Sequence, residues 1–218
     1  MSGLPAPLLA VTERPSDDGK GSGEALLRTL DGLLGAGIRW VWFRERDLAF
    51  EPRRALGRAV AERVRAHRGT LTVGGDPALA ASLGADGVHL PGGATATEIE
   101  HARHLLPKGL LGVSAHGIDE VQAAAAAGAD YVTLSPIFPT ASKPGYGPAL
   151  GPVCLRRAAS FGCPVIALGG ITEDRVADCM RAGAAGIAVM GTLMRSPDPA
   201  SETRRYLARL EAASRRVE

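Results

Sequence analysis

Ala127-Gly128-Ala129-Asp130-Tyr131-Val132-Thr133-Leu134-Ser135 reads as two elements joined at a glycine. A run with helical spacing ends at Ala127, and an apolar run bounded by turn residues begins at Tyr131. A helix that stops there needs a left-handed residue, which glycine supplies without steric penalty. The same phrase recurs as Leu83-Gly84-Ala85-Asp86-Gly87 and Ala182-Gly183-Ala184-Ala185-Gly186. Working outward from these joints, strands are predicted at Leu8–Thr12, Arg39–Arg44, Thr70–Val73, Gly87–Leu90, Leu110–Ala115, Tyr131–Ser135, Val165–Leu168 and Gly186–Met190. Helices are predicted near Glu24–Ala36, Pro52–His67, Pro77–Leu83, Ala96–Leu106, Ile118–Ala127, Pro148–Phe161, Glu173–Ala182 and Pro199–Ser214. Unbroken alternation implies an α/β fold with a parallel sheet and crossover helices. An open doubly wound sheet uses the same joints. So many regular units in so short a chain, with no G-x-G-x-x-G loop after the first strand, favour a single closed (β/α)₈ TIM barrel.

The 218 residues are long enough for one such barrel and short for two ordinary domains, so residues 1–218 are read as one domain, with 1–6 and 215–218 expected to fray. Hydrophobic residues make up 45% and aromatic residues 4%, with 28 glycines, which predicts a core of small and aliphatic side chains. Net charge is only +2 and no aromatic-interleaved basic patch stands out, arguing against nucleic acid and for a small anionic ligand. Cys154, Cys163 and Cys179 are odd in number and spaced like neither a zinc site nor a disulfide framework, so reduced thiols in the cytoplasm are expected. No signal-like start and no membrane-length apolar run is seen. The sequence leaves a homo-oligomer open.

In this architecture ligands sit at the carboxyl ends of the strands, with phosphate commonly held after strands seven and eight. Gly169-Gly170-Ile171-Thr172 follows strand seven and opens a helix, so backbone N–H groups and the positive helix end are both offered to an anion. Gly191-Thr192 repeats the device after strand eight; the plainer reading of both is a tight turn. The segment Pro136–Gly147 places Thr140, Ser142 and Lys143 close together between prolines and glycines, the composition of a flap that closes on an anion. Trp40, Trp42, Arg44 and Arg46 alternate on one side of strand two, with Arg44 at the exit; the competing reading makes one tryptophan core and both arginines solvated. Of five histidines, His67, His101 and His104 lie on helices, His89 reads as a hydrogen-bonded interior residue, and His116 follows strand five as the candidate proton-transferring base.

Five ordered pieces, Phe43-Arg44-Glu45-Arg46, Ala85 to Leu90, Gly112-Val113-Ser114-Ala115-His116, Phe138 to Lys143 and Ile166 to Ile171, together resemble the thiamine phosphate synthase and TenI family over nearly the whole chain. The resemblance implies a barrel that binds a thiazole phosphate. It further implies backbone phosphate ligands at Gly170, Met190 and Gly191 beside Gly169, thiazole contacts from Ser114, Thr140 and Ser142, and a carboxylate partner in Lys143 or Arg44, with Arg46 nearby.

Two activities occur in that family. The synthase joins a pyrimidine diphosphate to thiazole phosphate with Mg²⁺ held by loop carboxylates. Here Asp76 is kept, but Gly75 replaces an expected Asn. Leu90-Pro91-Gly92-Gly93-Ala94 stands where a Gly-Gln-x-Asp segment is expected, Trp42 replaces Gln, and Arg46 replaces Lys. The Leu-Pro-x-Gly loop and the Arg-Glu-Arg triplet are similar to TenI, whose tautomerase reaction moves a proton within a carboxythiazole phosphate and needs no cofactor. The leading expectation is therefore a thiazole tautomerase with His116 as base and no metal. The alternatives are the Mg²⁺-dependent synthase, with Asp76 as a metal ligand, a non-catalytic thiazole-phosphate binder, and, on fold alone, an unrelated phosphate-sugar isomerase.

Overall fold

The computed structural model describes residues 3–15, 22–140 and 148–215. Eight strands, β1 (Leu8–Val11), β2 (Trp40–Phe43), β3 (Thr70–Gly74), β4 (Gly87–Leu90), β5 (Leu110–Ala115), β6 (Tyr131–Leu134), β7 (Val165–Leu168) and β8 (Gly186–Val189), close into a parallel barrel in sequence order. Helices α1 (Ser22–Gly35), α2 (Phe50–Ala66), α3 (Pro77–Ser82), α4 (Ala96–Leu105), α5 (Ile118–Ala126), α6 (Gly151–Ala159) and α7 (Val176–Arg181) follow the first seven strands. A one-turn helix α8 (Gly191–Met194) and the longer α9 (Pro199–Ser214) follow β8. The (β/α)₈ barrel is thus the observed fold.

The repeated joint has a physical basis beyond its glycine. Gly84, Gly128 and Gly183 all take positive φ as expected. The aspartate that follows ties the new strand to the one before. Asp86 accepts a hydrogen bond from the Leu71 N–H and Asp130 from the Leu111 N–H, both at 2.8 Å. Asp130 also meets Arg103 at 2.8 Å. The third copy has Ala185 at this position and keeps only the main-chain bond from its N–H to Val165.

Side chains on alternate strand positions divide between two cores. Leu8, Ala10, Val41, Phe43 and Val88 point outward to the helices, while Leu9, Val11, Trp40, Trp42, Tyr131, Ile166 and Ala188 fill the barrel. The interior corrects the expectation of a core built only from small and aliphatic groups. Trp40 packs edge-on against Tyr131 with centroids 4.9 Å apart, and both tryptophans of β2 are buried. Glycine makes the room: a methyl group at Gly112 would collide with the Tyr131 ring and with His89. At the opposite mouth Leu4 and Ala6, expected in a loose end, pack against this inner cluster.

Three further differences from the predicted helices stand out. The helix predicted from Pro148 begins at Gly151, because the Leu150 and Gly151 N–H groups bond to the Pro136 and Ile137 carbonyls, at 2.9 Å each. The helix predicted over Glu173–Ala182 divides into a 3₁₀ turn (Glu173–Arg175) and the short α7. α8, a single turn, was not predicted. No helix among the described residues is long and apolar enough to cross a membrane. The three cysteines are free thiols, and burial pushes Cys163 up to about 11 and Cys179 up to about 12.

Candidate active site

The loops at the carboxyl ends of the strands enclose a cavity of about 540 Å³. It brings together Arg44 and Arg46 from loop two, Ser114 and His116 from loop five, Thr140 from loop six, Gly169 and Gly170 from loop seven, and Met190 and Gly191 from loop eight. Every site residue proposed from sequence lines it except Ser142 and Lys143, which lie outside the described residues, and Asp76, considered below. Among the described residues no carboxylate lines the cavity, whereas four arginines do, so its field suits an anion.

His116 is held on several sides. Its Nδ1 lies 2.9 Å from the Ser135 carbonyl, its main-chain N–H donates to the Glu120 carboxylate at 2.9 Å, and the Ser135 hydroxyl stands 3.3 Å from Nδ1. A carbonyl oxygen only accepts, so Nδ1 carries the hydrogen and the basic lone pair is on Nε2. The imidazole edge with Nε2 lies against Gly92, where an added methyl would sit 3.3 Å from that nitrogen. A glycine in loop four is what gives the ring its space.

His89 is interior, as expected. Nδ1 meets the Tyr131 hydroxyl at 2.8 Å and Nε2 meets the Ser114 hydroxyl at 3.0 Å. Burial, with a smaller contribution from Arg46, pushes its pKa down to about 3, so it is neutral. Trp42 stacks on it at 3.8 Å and covers Gly74, making the cavity floor an indole. The competing reading of β2 fails in its single core tryptophan, since both are buried, while Arg46 is exposed as that reading expects. Arg44 is half-buried, with its N–H bonded to the Thr12 hydroxyl at 2.9 Å. Arg46 sits at the rim against Gly75, its pKa lowered by burial and then by Arg44 and Arg53. Glu45 is buried and turned to Arg14 at 2.9 Å.

Loops seven and six interlock. Gly169 and Gly170 have φ of 93° and 63°, and a side chain at either would strike the loop-six backbone at Pro136 or Phe138. Only glycine fits both demands. The expected helix end, however, is weak: the loop is followed by a 3₁₀ turn carrying Glu173 and Asp174, and α8 is one turn long. Sequence reading missed the groups that supply positive charge there. Arg175 and Arg195 line the cavity, five residues after Gly170 and four after Gly191, and that offset from the two phosphate loops was the available signal.

Asp76 is engaged otherwise. One carboxylate oxygen caps α3 by accepting from the Leu79 N–H at 2.8 Å, and the other faces Arg53 at 3.3 Å. Loop four contributes Pro91, Gly92 and Gly93, with no acidic side chain. Among the described residues no cluster of three or more His, Cys, Asp or Glu is arranged to hold a metal ion. These residues do not fit a Mg²⁺ site.

The profile of a family described as thiamine monophosphate synthase matches residues 8–193. A thiamine-phosphate synthase of Geobacillus thermodenitrificans is 36% identical over 193 residues, covering 86% of this chain and 82% of that protein. Another, of Xanthomonas campestris, is 39% identical over 173 residues, covering 78% and 82%. A solved structure titled thiamine phosphate pyrophosphorylase, from Pyrococcus furiosus, superposes with a TM-score of 0.81 over 94% of this chain and 96% of that one, at 23% identity. These names agree with the synthase alternative drawn from the sequence, not with the leading tautomerase expectation, and they do not distinguish the TenI branch.

Proposed function

The chain belongs to the thiamine monophosphate synthase family, and on that premise we propose that its cavity binds a phosphorylated thiazole and that His116 moves a proton within it, as a thiazole tautomerase does. The observation that carries this reading is the hydrogen bond of His116 Nδ1 to the Ser135 carbonyl, which leaves Nε2 as the base in a cavity lined by cations. Nε2 would take a proton from one ring carbon and return it to another position. The reaction is an isomerisation with no net proton change, driven by aromatisation, and Arg44, which lines the same cavity, would meet the substrate carboxylate. Positioned general bases contribute about 10²–10⁴-fold.

The synthase reading is supported by the description of the family that matches residues 8–193 and by the names of relatives at 36% and 39% identity. Against it stand the capped, ion-paired Asp76, the acid-free loop four and the indole of Trp42 at the position where the resemblance expects a Gln. Incubation with pyrimidine diphosphate, thiazole phosphate and Mg²⁺ separates the two: the tautomerase reading expects no pyrophosphate release, and catalytic release would replace it with the synthase.

A further inference from the structure

Loops seven and eight lack the strong helix ends that usually help to hold a phosphate, because α7 and α8 are short and a 3₁₀ turn intervenes. Something else must balance a dianion there. Two guanidinium groups are in position. Arg175 donates to the Gly170 carbonyl at 2.7 Å and lies over the Phe138 ring, 4.6 Å from its centroid, so it is fixed from two sides. The guanidinium of Arg195 rests directly against Gly191, in the space that any side chain at that position would need. Both line the cavity, one beside each of the two glycine loops.

Their partners differ in kind. Among the described residues the partners of Arg175 are neutral groups, a carbonyl and an aromatic face. Arg195 is ion-paired with Glu13, which comes from the loop after β1. The Arg195 side chain is 58% exposed and that of Glu13 28%, so the pair is hydrated and exchangeable. A phosphate monoester carries close to two charges and three acceptor oxygens and outbids one carboxylate for a guanidinium.

We propose that Arg175 and Arg195 clamp the substrate phosphate between the two glycine loops, and that Glu13 is a displaceable counter-ion which holds Arg195 at the site until phosphate arrives. This rests on the reading of those loops as the phosphate site. The clamp predicts effects of opposite sign from the two ends of one ion pair. Arg195→Ala weakens phosphate binding by about tenfold or more, the scale of one lost charge-assisted hydrogen bond. Glu13→Gln tightens it severalfold, because the competitor has lost its charge. A residue that only held loop one in place would weaken binding when changed.

The test is calorimetric titration of the full-length protein with inorganic phosphate at low salt, for wild type, Arg195→Ala, Glu13→Gln and Arg175→Lys, with thermal unfolding to establish that each variant is folded. Arg175→Lys keeps the charge and the stem but loses the planar fork, and is expected to bind more weakly than wild type. Saturable binding by wild type that Arg195→Ala leaves unchanged, or that Glu13→Gln weakens, overturns the clamp while leaving the phosphate site standing. No saturable binding by wild type overturns the phosphate site itself.

Discussion

Nδ1 of His116 and the main-chain oxygen of Ser135 are 2.9 Å apart, a hydrogen bond that joins the end of β5 to the end of β6 and fixes which nitrogen is basic. The acceptor is a backbone atom of a barrel strand's exit, so the tautomer is set by the fold and persists through side-chain changes around it.

Replacing His116 with alanine should therefore lower tautomerase turnover by about 10²–10⁴-fold while binding of the thiazole phosphate is kept within a few-fold. Single-turnover rates beside equilibrium titration separate the two. A loss confined to binding would remove His116 from proton transfer.

Asp76→Asn separates the structural role of that residue from a metal role. Asparagine caps a helix about as well as aspartate, so α3 should keep its cap and lose only the ion pair with Arg53, a change of about 1 kcal/mol or less. Turnover in metal-free buffer should not change. A Mg²⁺-dependent activity abolished by this substitution would instead identify Asp76 as a ligand.

His89 makes stability depend on pH. Its pKa is about 3 in the folded protein against 6.5 ordinarily, so between these values the unfolded chain binds the additional proton. Stability from this group is fully present above about pH 6.5 and is lost as the pH falls toward 3, by up to about 1.4 kcal/mol per pH unit. Urea unfolding at pH 7, 5.5 and 4 should show the decline, and His89→Gln should flatten it. An unchanged slope in that variant would assign the decline to other groups.

Gly112→Ala should destabilise the barrel by about 1–3 kcal/mol or more, because the new methyl meets the Tyr131 ring and His89 in a closed interior. Denaturant midpoints at constant slope would measure it; no change would mean that the Trp40–Tyr131 packing yields easily.

Much of this was legible in advance. The glycine joints announced alternating elements, and the boundaries of β4, β5 and β7 agree with the periodicity to the residue because turn residues flank them. His116, Arg44, Gly170 and Gly191 line one cavity because a barrel sends every strand exit to one face. What was not legible depended on distant pairing. Glu13 and Arg195 are 182 positions apart, and neither suggests the other. Periodicity placed Trp40 and Trp42 on one side of β2, but only closure of the barrel shows that Gly112 leaves room for Tyr131 beside them. The start of α6 moved because its first amides bond to loop six, a tertiary effect with no local signature.

Proton transfer by His116 in a thiazole phosphate, without a metal, is read out by proton NMR of the carboxythiazole phosphate tautomer incubated with the purified protein and a chelator, beside His116→Ala. The expected result is catalytic conversion to the aromatic tautomer by wild type and not by the variant. No conversion by wild type, or equal conversion by both, would contradict it.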